Sequence, residues 1–98
     1  MKKGYWVVGY RSVTNAEALE AYTALAIPAI EGAGGKFIVR GFPSEVFEAG
    51  VPEQRTAVIE FESVEKAVAA YNSDAYAQAR AALNKGAERD FRIVEALN

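Results

Sequence analysis

The chain has no cysteine and no histidine in its 98 residues. The missing thiols exclude disulfides, thiolate nucleophiles and zinc–thiolate sites. The missing imidazoles exclude His-ligated haem and the usual general base near neutral pH. Any chemistry falls to Glu, Asp, Lys, Arg, Tyr, Ser or Thr, and neither a metal site nor a cofactor is expected. A basic excess is also missing: the net charge is −2 and no basic stripe is present, so nucleic acid is not an expected partner. Lys2 and Lys3 are adjacent, but read as a solvated terminus. No apolar run approaches membrane-spanning length, so no membrane partner is expected. Tyr5–Val8 is too short for a signal-peptide core and has no small-residue cleavage site after it. With no cysteine to oxidise, the chain reads as cytoplasmic.

What is present suits a small folded unit. Apolar residues make up 51% of the chain, a little above the globular norm. Its length points to a single domain over residues 1–98, burying roughly two-thirds of its unfolded surface. Residues 4–11 are β-branched and aromatic, as in a strand, with Tyr5 and Val7 on one face and Trp6, Val8 and Tyr10 on the other. Both faces are apolar, so both are expected to be covered.

Thr14-Asn15-Ala16-Glu17 fits a capping box opening a helix, with Thr14 as the cap. Leu19, Tyr22, Ala26, Ala29 and Ile30 follow at helical spacing. Pro28 predicts a kink or restart, and Gly32, Gly34 and Gly35 a left-handed stop. Strands are expected over 36–41, 55–61 and 89–96. A short extended arm is expected over Ser44–Glu48, with a turn at Gly50-Val51-Pro52. Ser63 and Ser73 each fit a helix cap, and Gly86 closes the last helix.

The resulting order describes an α+β fold, a ferredoxin-like βαββαβ sandwich with an antiparallel four-stranded sheet. Helices can cover only one face of that sheet. A second copy of the same sheet is the economical cover for the other, so a homodimer through the sheet faces is expected.

The chain resembles the uncharacterised dimeric α/β-barrel proteins grouped as domain of unknown function 1330. The matching residues are Gly4-Tyr5-Trp6, Tyr22 with Pro28, Gly34-Gly35-Lys36-Phe37, and Arg40-Gly41. Val58-Ile59-Glu60-Phe61 with Ser63, Tyr71-Asn72-Ser73-Asp74-Ala75-Tyr76 and Arg92-Ile93-Val94-Glu95 complete them. The family often has a second Gly after Arg-Gly, where Phe42 stands here, and a Pro where Asp74 stands. Phe42 could alter the mouth of a pocket. The resemblance implies a ferredoxin-like dimeric α/β barrel and no particular reaction.

Arg40 and Glu60 are the candidate catalytic pair. On neighbouring strands, both could project into the space between two sheets. Glu60 would be a base with a raised pKa, and Arg40 a forked holder of a carboxylate or enolate oxygen. The competing reading is a salt bridge with no ligand. Tyr22, Tyr76 and Trp6 are candidate ligand contacts in an aromatic pocket, with core packing as the alternative. Arg80, one turn beyond Tyr76, could guard the entrance or be a plain surface arginine. Ser63-Val64-Glu65-Lys66 has the Ser-x-x-Lys spacing of some acyl enzymes without their companion motifs, and Ser63 suffices as a cap. Gly32–Gly35 follows a helix instead of opening one, so it is no phosphate loop.

Two functions follow. One is a site for a small, partly apolar, anionic metabolite, with cofactor-independent isomerisation or oxygenation if it is catalytic. The other is a non-catalytic ligand-binding or protein-interaction module, using the arm around Phe42, Pro43 and Phe47. The RNA-recognition module shares this element order, but the third strand lacks its aromatic pattern.

Overall fold

A computed structural model describes residues 2–48, 50 and 54–98. The β-branched and aromatic run at the start forms β1 (Gly4–Val13), followed by α1 (Ala16–Gly32), β2 (Lys36–Gly41) and β3 (Thr56–Phe61). Then come α2 (Val64–Tyr71), α3 (Asp74–Leu83) and β4 (Ala87–Glu95). The strands form one antiparallel sheet in the order β2-β3-β1-β4, the ferredoxin-like arrangement expected. The sheet is open. No helix among the described residues is long and apolar enough to cross a membrane.

The core lies between the helices and one face of the sheet. Trp6 and Val8 of β1 and Ile59 and Phe61 of β3 meet Tyr22, Ala26 and Ile30 of α1 there. Ala67, Ala70 and Ala79 let α2 and α3 approach closely, and the bulky Tyr76 joins the same core. Trp6 is the centre of this layer. Its ring lies 4.9–5.0 Å from those of Phe61, Tyr76 and Phe91, and its Nε1 donates to the Ala67 carbonyl at 2.8 Å. The indole thus buries its area without leaving its one donor unpaired. A Cβ at Gly4 would fall 2.7 Å from the Ser63 carbonyl oxygen, so glycine there lets β1 run against the start of α2.

Ser63 and Ser73 cap α2 and α3 as read, accepting from the Lys66 and Tyr76 amides. Gly34 supplies the left-handed stop after α1 with φ 91°. Two helix expectations are corrected. The cap of α1 is Asn15, which accepts from the Ala18 amide, because Thr14 instead donates to the Lys85 carbonyl across the chain. Pro28 does not restart the helix, which runs through it as one element. Pro28 and Ala24, one turn earlier, are both exposed, so water can satisfy the carbonyl that loses its donor. The described residues of the 42–48 stretch form no strand, and the turn expected at Gly50-Val51-Pro52 falls at residues 51–52, outside the described residues.

One irregularity decides where charges go. Phe37 pairs with Ile59 and Val39 with Val58, so Ile38 is surplus in β2. A one-residue bulge inverts the alternation beyond it. Lys36 therefore shares the open face with Glu60, whereas Arg40 pairs with Ala57 and points to the helix side. The open face keeps Val7, Val39 and Val94 at 37%, 47% and 47% exposure. Covering of both faces is thus not achieved within one chain.

Candidate functional site

The alternation of β4 puts Arg89, Phe91 and Ile93 on the face that the helices cover. Phe91 and Ile93 pack on the core, but Arg89 brings a full charge there. Its Nη1 donates to the Tyr22 hydroxyl at 3.0 Å, and that hydroxyl shares a 2.6 Å hydrogen bond with the Tyr76 hydroxyl. The guanidinium also lies 4.8 Å from the Tyr22 ring centre, 5.4 Å from Phe91 and 5.6 Å from Tyr10. Rings and phenol oxygens hold this cation. No carboxylate among the described residues lies within salt-bridge distance of it.

Titration follows from this setting. Burial pushes the Tyr22 phenol well above its ordinary value, and the neighbouring Tyr76 adds to the effect while Arg89 opposes it. Burial raises Tyr76 and Tyr10 as well. For Arg89, burial works against the charge, but Tyr22 and Tyr76 outweigh it and its pKa is raised. At neutral pH the cluster is therefore one fixed cation wrapped in neutral phenols.

Arg89 forms part of the wall of a cavity between α1 and the sheet. Trp6, Val8, Ala26, Ile30 and Ile59 supply apolar lining, and Tyr22 and Tyr10 add phenol-bearing rings. Arg40 and Arg55 also border it, and no Asp or Glu does. Its volume is about 40 Å³. That is room for the charged head of a small molecule, well below the roughly 300–1,000 Å³ of sites that enclose a whole drug-sized ligand. No cluster of three or more potential metal-ligating His, Cys, Asp or Glu side chains occurs among the described residues.

The expected site residues separate into three groups. Tyr22, Tyr76 and Trp6 come together: Tyr22 and Trp6 line the cavity, and Tyr76 stands behind and holds the Tyr22 hydroxyl. Arg40 reaches the cavity mouth, its guanidinium 5.7 Å from the Phe37 ring centre. Arg80 borders a different cleft, between α3 and β4. Glu60 lies on the opposite face of the sheet, 3.3 Å from Lys3 Nζ and accepting from the Tyr5 hydroxyl at 3.1 Å.

The expected geometry of Arg40 and Glu60 is therefore corrected: the bulge at Ile38 puts them on opposite faces. The expected raised pKa is corrected too. Its slight desolvation would raise the Glu60 pKa, but Lys3 and Tyr5 outweigh it and hold the carboxyl below the usual range. Arg89 and Arg55 are not among the residues that the sequence marks as candidates. A signal existed for Arg89, since a charge in step with Phe91 and Ile93 at period two is unusual on an apolar face.

A family model described as a domain of unknown function, DUF1330, matches residues 3–97. Among curated proteins, none matches. The RPA0582 protein of unknown function from Rhodopseudomonas palustris superposes with a TM-score of 0.75 at 18% identity, over 100% of this chain and 85% of that one. SnoaB, a cofactor-independent oxygenase from Streptomyces nogalater, superposes with a TM-score of 0.69 at 13% identity, over 100% and 96%. A nipsnap family protein of unknown function from Agrobacterium tumefaciens does so with a TM-score of 0.63 at 15% identity, over 96% and 87%. At these identities the likeness establishes the fold alone.

Proposed function

The chain belongs to the DUF1330 family of domains of unknown function, and from that premise we propose that it binds a compact, partly apolar anion in the cavity between α1 and the sheet. The observation that carries this reading is Arg89, a largely buried cation that faces the cavity with no carboxylate among the described residues to balance it. A ligand carboxylate or enolate would accept from Arg89, and its carbon body would lie on Trp6, Ala26 and Ile59. The rest of the molecule would extend to the mouth at Arg40 and Arg55. Tyr22 and Tyr76 would keep the guanidinium in place before the ligand arrives, so little ordering cost remains at binding.

Trp6 is the only tryptophan and lines the cavity, so its fluorescence reports occupancy. Short-chain and aromatic acids should quench or shift it saturably, and their neutral amides should not. The reading fails if acids and amides act alike, or if Arg89→Met binds acids as the wild type does.

A second reading is favoured by the fold shared with SnoaB: oxidation of such an anion by dioxygen without a cofactor, Arg89 steadying the enolate oxygen. Glu60 is not the base of that reaction, because the sheet separates it from the cavity. The substrate would have to be acidic enough to ionise without a lining carboxylate. Oxygen uptake with acids that bind would support this reading, and none with any of them would leave a binding protein.

The open face supports self-association. Val7, Val58, Val39 and Val94 offer a second copy an apolar surface between flanking charges. Sedimentation should show a dimer that Val58→Glu converts to monomer, and a monomeric wild type at high concentration would refute this.

A further inference from the structure

A second cleft lies between α3 and β4, and it shares only Arg89 and Phe91 with the cavity already described. It measures about 510 Å³, within the roughly 300–1,000 Å³ common for small-molecule sites. Its wall is aromatic: Tyr71 and Phe91 meet edge to face at 5.0 Å. Arg80 and Arg89 border it, and no Asp or Glu does. The Arg80 guanidinium rests on the Tyr71 ring, 4.6 Å from its centre. Its Nε is buried and has no hydrogen-bond partner among the described residues. Native proteins rarely leave a buried donor in that state, and an exception calls for an explanation. At the rim, Asn84 holds a backbone of φ 51°, ψ −120°, a conformation that L side chains rarely adopt. Strain of this kind gathers where a site needs a particular shape.

We infer that this cleft is a second binding site, for a planar aromatic carboxylate. When the Arg80 guanidinium lifts from the Tyr71 ring, its Nε edge presents two parallel donors, which match the two oxygens of a carboxylate. The orphaned donor then gains its partner on binding. The ligand ring lies along Tyr71 and Phe91, and the Asn84 side chain closes the rim. Two guanidiniums with no lining carboxylate make the cleft electropositive, so a neutral ring alone gains much less. The cleft shares the Arg89 guanidinium with the cavity beside α1, but its own anion holder is Arg80.

Benzoate is the probe, followed by amide chemical shifts in ¹⁵N-labelled full-length protein, with benzamide as its neutral counterpart. Saturable shifts are expected at Ala77, Ala81, Asn84 and Ala87. Benzamide should bind at least about tenfold more weakly, because it lacks the charge that strengthens the hydrogen bonds. Arg80→Met should abolish these shifts, and Arg80→Lys should restore only part of the affinity, since a point charge lacks the fork. Equal binding of benzamide by the wild type overturns the proposal, as does unchanged benzoate binding in Arg80→Met. Shifts confined to Ala26, Ile27 and Ala57 overturn it while supporting the cavity beside α1. Should Arg80→Met fail to fold, the comparison of benzoate with benzamide on the wild type decides.

Discussion

On and beside the open face of the sheet, Lys3, Arg11 and Arg92 each sit 3.3–3.7 Å from a carboxylate: Glu60, Glu88 or Asp90. On the face that the helices cover, Arg89 has rings and a phenol oxygen, and Arg80 beyond it has the Tyr71 ring. The wetter surface balances its charge internally, although exposed pairs contribute little to stability. The drier one, where imbalance costs more, does not. A protein that arranges its charges this way is suited to receive an anion on the covered side. The open side offers valines between satisfied charges, a surface better suited to another apolar surface.

Substitutions on the two faces can break this contrast. The largest effect is expected from Trp6→Ala on the covered face, which should cost about 3–5 kcal/mol in denaturant unfolding followed by circular dichroism. Val7→Ala on the open face should cost under about 1.5 kcal/mol at concentrations where the chain is monomeric. Similar costs would mean that the two faces are packed alike. Next is the ligand: Arg89→Met should weaken acid binding by about tenfold or more, the loss expected for a hydrogen bond to a charged group. Arg92→Met, on the open face, should leave affinity unchanged. A reversed pattern would move the binding surface to the open face.

A smaller effect separates the tyrosines. Tyr22→Phe should destabilise by about 1–2 kcal/mol, since its hydroxyl takes part in two hydrogen bonds, with Tyr76 and from Arg89, and Tyr5→Phe by less. Alkali tests the buried pair of Tyr22 and Tyr76. Because burial raises the Tyr22 and Tyr76 pKa values in the folded state, the fold holds phenol protons that the unfolded chain releases near pH 10. Stability should be intact below about pH 10 and fall as pH rises beyond it. The part of the phenolate absorbance that Tyr22→Phe and Tyr76→Phe remove should therefore appear together with loss of near-ultraviolet dichroism, and its appearance without unfolding would contradict the buried pair. Smallest is Glu60: its lowered pKa means a contribution present above about pH 4.3 and lost as pH falls. Glu60→Gln should slightly flatten the acid limb of the stability curve, and a steeper limb would show the sign to be wrong.

Local patterns made much of this fold readable. The serines before α2 and α3, the strand composition of β1 and the glycine stop after α1 are signals carried by neighbouring residues. The misplaced features depend on distant contacts. Thr14 and Asn15 are both good caps, and the choice fell to Asn15 because the Lys85 carbonyl engages the Thr14 hydroxyl. Lys36-Phe37-Ile38-Val39 contains no glycine to mark a bulge, so plain alternation put Arg40 on the wrong face. Tyr22 and Tyr76 are far apart in the chain, and each is a pocket candidate by type, but only the fold brings their hydroxyls together. Arg89 sits in an apolar alternation that hides its charge among core positions. The cleft beside Arg80 exists only once α3 has packed on α1 alongside β4.

The surplus residue in β2 also has a bearing on how such a protein can change. Removing Ile38 would leave Phe37, Val39 and Arg40 opposite Ile59, Val58 and Ala57 in plain alternation, so the charge of Arg40 would stay at the cavity mouth. One residue added between Val39 and Arg40 in regular pairing would instead carry that charge through the sheet, in among the exposed valines. One codon gained there would alter affinity for an anion and adhesion between copies in a single step, whereas substitutions elsewhere can tune either property alone.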